Sequence, residues 1–450
     1  MKSFVLALMV MGIASASPIK LFEPAGFAKA GAFFLTQEVT DHLLVSPNWD
    51  RIVGLRGGET IQIDVASNRK LMGRVARIDE RGGGNRTIFA RIDGDEEGQM
   101  LLVLEANCLS ATIQLPDSHE LFSLRFAGNG LYAMCRQDAM LFPPCDEPIA
   151  VHSESGEVVD GSIASTENVV IDVLVAYTPQ ARDVAGSTNQ MLSRIQLMID
   201  ESNQAYSASL MPVRLRLVHR VEATGYTESS NFSTNLSRLR NTSDGHMDDV
   251  HTLREQYSAD MVALIVSGGS ACGVAYLMST LSTDFRTSAF SVSAIGCATG
   301  YYTFGHELGH NQGSHHDRAN AGTALYPYSY GWRFYGTNGT QYRTILAYSP
   351  GTRIQRFSNP NVNFQGTPTG ILNSEENARS ITNAAPTVRQ FYAPRPGDVD
   401  RNGCVDDLDL AMVLDQFGDK AITLADVDSN GVVDDRDLAI VLNNFGSGCI

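Results

Sequence analysis

His306-Glu307-Leu308-Gly309-His310-Asn311-Gln312-Gly313-Ser314-His315-His316-Asp317 is the stretch around which this chain is organised. His306 and His310 are four residues apart, so on a helix they lie one above the other on one face. Two neutral imidazoles at that spacing can hold one Zn²⁺ at roughly 2.0–2.1 Å each. Glu307, one residue along, sits beside the metal, where a carboxylate can take a proton from water. A helix cannot bring residue i+10 to a metal held at i and i+4. Gly313 solves this, because glycine enters the left-handed conformation cheaply, ends the helix and turns the chain back. His316 can then reach the metal from a loop. Thr303 is the expected N-cap of the helix. Three histidines leave a fourth position open, the arrangement of catalytic rather than structural zinc.

His306-Glu307-x-x-His310-x-x-Gly313-x-x-His316 resembles the extended signature of the metzincin metalloproteases. The following Asp317 is similar to the reprolysin (adamalysin) branch and its bacterial secreted relatives. The resemblance implies a zinc metalloendopeptidase of α/β fold with a deep cleft and a methionine turn beneath the metal. Tyr342-Arg343-Thr344-Ile345-Leu346-Ala347-Tyr348 is the counterpart of that turn, where such proteins usually read Thr-Ile-Met. Leu346 stands at the methionine position, a nearly volume-conserving exchange. Tyr348 is placed to line the cleft or stabilise an oxyanion, with packing as its plainer role.

Around this centre the chain divides into a signal peptide (1–16), a β-rich propeptide and linker (17–160), a catalytic domain (161–393) and a terminal domain (394–450). Lys2, the apolar run Phe4–Ile13 and the small residues Ala14-Ser15-Ala16 form a secretory signal with a cleavage site before Ser17. The run is too short to span a bilayer, and no other segment is long and apolar enough. The chain should therefore be secreted. Its net charge of −16 argues against nucleic-acid and anionic-membrane partners.

In residues 17–160, Thr60–Val65, Leu71–Ile78, Thr87–Ile92, Met100–Leu104 and Leu121–Phe126 read as strands between Gly-rich turns such as Gly82-Gly83-Gly84. No catalytic constellation lies there. Its position suggests an inhibitory or chaperoning propeptide, with an accessory binding domain as the alternative. Val151–Asn168 is a polar, Gly/Ser-rich linker without a dibasic cut site. In the catalytic domain, Val169–Tyr177 is apolar almost throughout, as a strand covered on both faces would be. Thr188–Tyr206 has helical periodicity, with Met191 and Met198 as core. Val213–Val221 and Asp260–Ser267 read as strands and Gly245–Tyr257 as a helix, an alternation that indicates an α/β layer. Ser288–Ile295 is expected as the edge strand bordering the cleft, free to pair with an extended peptide. Glu375–Phe391 is a closing helix, bent or broken at Pro386.

Seven cysteines fit an oxidising compartment. Cys272–Cys297 and Cys404–Cys449 are the expected disulfides. Three cysteines remain in the first domain, so one thiol is left over. A thiolate is a good zinc ligand. Cys145, in Pro143-Pro144-Cys145 near that domain's end, is the candidate to cap the open fourth position, as in the cysteine switch of many metzincins.

The last 57 residues, Pro394–Ile450, hold twelve Asp, no Glu, one Lys and three Arg, half of the chain's net charge. They contain a repeat at an offset of 28. Asp398, Asp400, Asn402, Cys404, Asp406 and Asp409 align with Asp426, Asp428, Asn430, Val432, Asp434 and Asp437. Oxygen ligands at loop positions 1, 3, 5, 9 and 12, a carbonyl at 7 and glycine at 6 make an EF-hand-type Ca²⁺ loop. Each loop runs into an apolar helix, Leu410–Phe417 and Leu438–Phe445. The duplicated loop–helix with Asp at position 12 resembles a type I dockerin. That implies an all-α domain, two Ca²⁺ ions and a cohesin-type partner. Positions 10 and 11 read Asp407-Leu408 and Asp435-Arg436 instead of the Ser-Thr of cellulosomal dockerins, so a plain Ca²⁺-stabilised module stays open.

The reading that unites these features is a secreted zinc metalloendopeptidase, made as a zymogen, acting on protein substrates and carrying a calcium-dependent docking module. A calcium-dependent adhesion or scaffold protein with a vestigial zinc site is the alternative, against which the intact Glu307 argues. A zinc hydrolase of non-protein amides is a third.

Overall fold

The computed structural model describes residues 17–26, 35–66, 69–152, 169–420 and 422–449. The expected signal peptide and most of the expected linker lie outside these residues. No helix among the described residues is long and apolar enough to cross a membrane.

The first domain is a ten-stranded sheet. Its strands run as an antiparallel meander from Thr60–Ala66 to Tyr132–Gln137, with Val39–Pro47 paired beyond the last of them. The five expected strands are present. Val39–Pro47, Cys108–Leu115 and Tyr132–Gln137 were not foreseen. One short segment closes the sheet. Ile19–Lys20 lies parallel to Ile61–Gln62, and Phe22–Pro24 lies antiparallel to Val45–Pro47 on the opposite edge. The interior is filled by Leu21, Phe22, Ile61, Ile63, Ile88, Leu102, Ile113 and Phe122, all buried.

The second domain is built on a six-stranded sheet. Its order is Ile149–Val151, Gly273–Met278, Phe290–Ala294, Met261–Val266, Val169–Tyr177 and Val213–Glu222. Val169–Tyr177 is buried throughout, as its sequence demands. The expected edge strand is corrected. Phe290–Ala294 is internal, parallel to Met261–Val266 on one side and antiparallel to Gly273–Met278 on the other. Gly273–Met278 takes the outer place because the chain doubles back after Cys272, and its apolar run carries no pattern that marks an edge. Ile149–Val151, from the segment that leaves the first domain, adds to it in parallel.

Helix Thr188–Ala208 lies between the two domains. Leu197 packs with Phe89, Leu101 and Val103 of the first sheet. Gln190 Nε2 donates to the Tyr132 hydroxyl at 2.8 Å, and Glu201 accepts from the Thr112 hydroxyl. The seam thus mixes apolar packing with buried polar bonds. Asn377–Val388 is the closing helix, with Pro386 inside it.

The third domain has two helices, Asp407–Asp415 and Asp435–Asn444, each opened by a capping box. Val399, Val405, Val413, Ala425, Val433 and Val441 make its small core. It docks on the catalytic sheet through charge. Asp172 accepts from Arg216 Nε and Nη2 at 2.7 and 3.0 Å, and from Arg401 Nη2 at 3.2 Å. Both expected disulfides, Cys272–Cys297 and Cys404–Cys449, are formed, and Cys108, Cys135 and Cys145 are free.

Candidate active site

His306, Glu307 and His310 lie on helix Thr303–Asn311, every residue of which is buried. The cap differs from expectation. Tyr302, at φ 60°, precedes the helix, and Thr303 is its first residue without a capping bond. Tyr302 spends its hydroxyl on Gln114 of the first domain. Asn311 fixes the other end, donating to the Tyr276 and Phe290 carbonyls at 2.8 and 3.1 Å. The helix thus sits against the two strands nearest the sheet edge.

Gly313 ends the helix as the sequence requires. It adopts φ 82°, its N–H reaches the His310 carbonyl, and Ser314 N–H reaches the Gly309 carbonyl at 3.0 Å. This is a Schellman closure. A Cβ at 313 would come within 2.3 Å of Leu325 Cδ2, so both conformation and space call for glycine. The turn delivers His316. The neighbouring His315 is not available as a ligand. Its Nδ1 and Nε2 face the backbone N–H groups of His316 and Gly322 at 2.8 and 3.2 Å, and a neutral ring accepts from one of them, the shorter contact favouring Nδ1.

The three Nε2 atoms of His306, His310 and His316 converge, 3.1–3.2 Å apart. Tetrahedral bonds of 2.0–2.1 Å place ligand nitrogens about 3.3–3.4 Å apart, so the triad fits a zinc-sized ion. Each Nδ1 faces a carbonyl: Ile345 at 2.8 Å, Ser314 at 2.7 Å and Asn320 at 3.3 Å. A carbonyl only accepts, so each Nδ1 carries the proton and each Nε2 lone pair points inward. Burial, with the neighbouring charges, holds all three pKa values below the ordinary imidazole value, which keeps the ligands neutral.

Glu307 is fully buried, and neither carboxylate oxygen has a hydrogen-bond partner among the described residues. Burial pushes its pKa well up. The space around it is set by Gly273, where a Cβ would lie 2.5 Å from Glu307 Oε1. Cys145, on the segment that leaves the first domain, lies beside the site. Its Sγ, an imidazole nitrogen of His306 and a Glu307 oxygen all lie within 4.8 Å of one another.

Leu346 is completely buried, and a Cβ on Gly309 would meet its Cδ2 at 3.1 Å, so it lies beneath the His-bearing helix. Asp317 ties the third-ligand loop to this turn. Its Oδ1 accepts from Arg333 Nη2 at 2.7 Å, its Oδ2 from Tyr348 N–H at 3.0 Å, and both from Asn320. Tyr348 packs its ring 3.9 Å from that of His316 and donates its hydroxyl to the Cys145 carbonyl at 2.9 Å. Sequence reasoning missed Gly273, Arg333 and the three carbonyls. A carbonyl leaves no trace in a residue's identity, and a lone glycine has many causes.

The acidic repeats fold alike. Asp398, Asp400 and Asp409 form one cluster, and Asp426, Asp428 and Asp437 the other. Asp398 and Asp426 are 7 % and 0 % exposed, and each has a buried Oδ1 without a partner. Asp406 and Asp434 cap the helices, and Asn402 and Asn430 turn back onto Asp400 and Asp428. Cys404 is in its disulfide, and Val432 N–H reaches the Asn430 side chain at 2.9 Å.

Residues 166–375 match the family described as metallo-peptidase family M12B, reprolysin-like. The chain is 36 % identical over 326 residues to a peptidyl-Asp metalloendopeptidase of Stenotrophomonas maltophilia, covering 69 % of this chain and 75 % of that one. A peptidyl-Asp metalloendopeptidase of Xanthomonas campestris is 29 % identical over 418 residues, covering 86 % and 97 %.

Proposed function

The chain belongs to the reprolysin-like M12B metallopeptidases and is a metalloendopeptidase, and from that premise we propose that it is a secreted, zinc-dependent, Asp-directed endopeptidase made in latent form. The observation that carries the reading is the triad of inward-facing Nε2 atoms beside an orphaned, buried Glu307. His306, His310 and His316 hold the metal. Bound there, Zn²⁺ supplies Lewis acidity toward the scissile carbonyl and toward water. Glu307 takes the proton from the attacking water and returns it to the leaving amine. Its burial without a partner leaves it basic and free to move that proton. The edge strand Gly273–Met278 holds the substrate backbone by β-pairing. Asp317 and Leu346 fix the third ligand and the floor. Asp preference is taken from the names of the relatives.

Latency rests on the segment that leaves the first domain. Cys272 N–H donates to the Pro144 carbonyl, Asp146 N–H to Gly273, and Ile149–Val151 fills the edge-strand ladder. The substrate's place is therefore taken by residues 144–151, with Cys145 at the metal's open position. The first domain acts as a propeptide clamped over helix Thr188–Ala208.

The terminal domain binds two Ca²⁺ ions. Asp398, Asp400, Asn402, Asp406 and Asp409, with the Cys404 carbonyl, hold one. Asp426, Asp428, Asn430, Asp434 and Asp437, with the Val432 carbonyl, hold the other. The unpartnered Oδ1 atoms of Asp398 and Asp426 support this. A cohesin-type partner would meet the solvent side of this module.

The test is cleavage of an unfolded protein by the processed full chain with Zn²⁺ supplied, against Glu307→Ala. Activity at Asp bonds that vanishes in the variant is the expected result. Equal activity in both proteins would sink the reading.

A further inference from the structure

Two arginines lie buried beside the metal-site helix with no acid to answer them. Arg343 is 3 % and Arg353 5 % exposed, and neither has a carboxylate within ion-pair distance among the described residues. Taking a guanidinium out of water without a counter-ion is costly unless its donors are otherwise satisfied, as those of the buried Arg254 are by three carbonyls.

The two differ in what their donors do. Arg343 uses Nε on the Gly351 carbonyl at 2.8 Å, Nη1 on Ala347 at 2.7 Å and Nη2 on the Tyr301 hydroxyl at 2.9 Å. It is a brace for the turn that contains Leu346. Arg353 gives Nη1 to the Tyr301 carbonyl at 2.8 Å, while its Nε is buried without a partner. Its guanidinium lies 4.3 Å from the centre of the Tyr301 ring. Its charge acts on Glu307, His306, His316 and Cys145, the groups around the reaction centre.

The first domain covers this place. Phe142 stacks on Tyr301 with ring centres 4.3 Å apart, and Gln114 Nε2 reaches the Arg353 carbonyl at 3.4 Å. A small, partly open hollow of about 20 Å³ lies between Gly300, Tyr301 and Arg353 on one side and Gln114, Glu120 and Leu121 on the other, with Glu120 itself paired to Arg69 and Arg136. Departure of the first domain removes Phe142 and Gln114 and leaves the Tyr301–Arg353 side of the hollow uncovered. An Asp side chain is short, so whatever reads it must stand close to the scissile bond. Arg353 pairs in register with Arg343, on the strand that leads into the Leu346 turn, and bonds Tyr301, two residues before the His-bearing helix begins.

We propose that Arg353 is the specificity residue of the mature enzyme, receiving the carboxylate of the Asp side chain that adjoins the scissile bond, while Arg343 braces the wall behind it. This rests on the reading of the chain as an Asp-directed metalloendopeptidase. Arg353 does not touch the reacting atoms. It positions the bond by holding the neighbouring side chain, and an amide in place of the carboxylate leaves its charge unanswered.

The experiment compares two peptides that differ only in Asp or Asn at the cleavage position, with the processed full chain as wild type, Arg353→Gln and Arg353→Lys. The wild type is expected to favour Asp by roughly 100-fold or more in kcat/KM. Arg353→Gln should bring the ratio to within about threefold, mostly through KM. Arg353→Lys, a point charge without the planar fork, should keep a preference roughly tenfold weaker than wild type. It also decides the matter if the glutamine variant does not fold. A wild-type Asp preference that survives unchanged in the variants overturns the role of Arg353 alone. An active wild type without Asp preference overturns the role together with Asp-directedness, and a wild type inert on every peptide overturns the endopeptidase reading beneath both.

Discussion

Asp172→Ala would strand two buried cations at once. Asp172 is 3 % exposed and accepts two hydrogen bonds from Arg216 and one from Arg401, the latter reaching in from the first acidic loop of the terminal domain. Breaking a buried pair by deleting one partner costs about 3–5 kcal/mol. One term offsets this. Asp260 donates nothing but accepts Asp172 N–H at 2.9 Å, and its carboxyl is pushed well up by burial and by the Asp172 charge. Without Asp172 it ionises more readily and answers part of the stranded charge, so we expect about 3 kcal/mol net. Arg401→Ala leaves Asp172 held by both bonds from Arg216, and should cost about 1.5 kcal/mol, the lower end for one bond to a charged group. The chain has two tryptophans, Trp49 in the first domain and Trp332 in the catalytic domain. Urea unfolding followed by Trp332 fluorescence in a Trp49→Phe background reads the relevant domain. Equal losses for the two variants, or less than about 1 kcal/mol for Asp172→Ala, would refute the reasoning.

Three further outcomes can be checked directly. Gly273→Ala sets a methyl 2.5 Å from Glu307 Oε1 and 2.8 Å from Thr303 Cγ2; displacement of the base should lower kcat by roughly 100-fold, with the metal still bound by equilibrium dialysis. Cys145→Ser in the unprocessed full chain should show proteolysis where the parent shows none, measured as first-minute peptide hydrolysis before any cut appears on a gel. Glu201, buried between Thr112 and Gly300 N–H, has its pKa raised to about 7 chiefly by burial; the folded state prefers the proton, so stability is greatest below the unfolded carboxylate range and falls as pH rises through about 7. Glu201→Gln should flatten that decline in a thermal-unfolding series, and an unchanged slope would remove Glu201 as its source.

Much of the site was legible because its residues act through side chains at fixed spacing. His306 and His310 on one helix face, Gly313 at the turn and His316 beyond it could be read without neighbours. Cys272–Cys297 and Cys404–Cys449 followed from their positions. Five of the first sheet's eight long strands are legible in the sequence, while Cys108–Leu115 and Tyr132–Gln137, buried almost throughout, show no clear alternation. Phe290–Ala294, with Ser291 and Ser293 alternating, reads as an edge strand and proves internal, because order in a sheet is a long-range fact. Arg353 was illegible for a similar reason. An arginine in sequence reads as surface, and only the fold shows it buried without an ion-pair partner among the described residues.

The closure of the first sheet carries a consequence for how the chain must be handled at its start. Six residues, Ile19–Pro24, cross from one sheet edge to the other, with Leu21 N–H on Gln62 and the Leu21 carbonyl taken by Asn48. They work as a zip whose single slider secures both rows of teeth. A trim of a few residues past Ile19 would bare two unpaired strands together, and unpaired strands invite sticking between copies. Shortening of this tail would thus be felt first as lost solubility of the whole precursor, far from the metal and before any bond is cut.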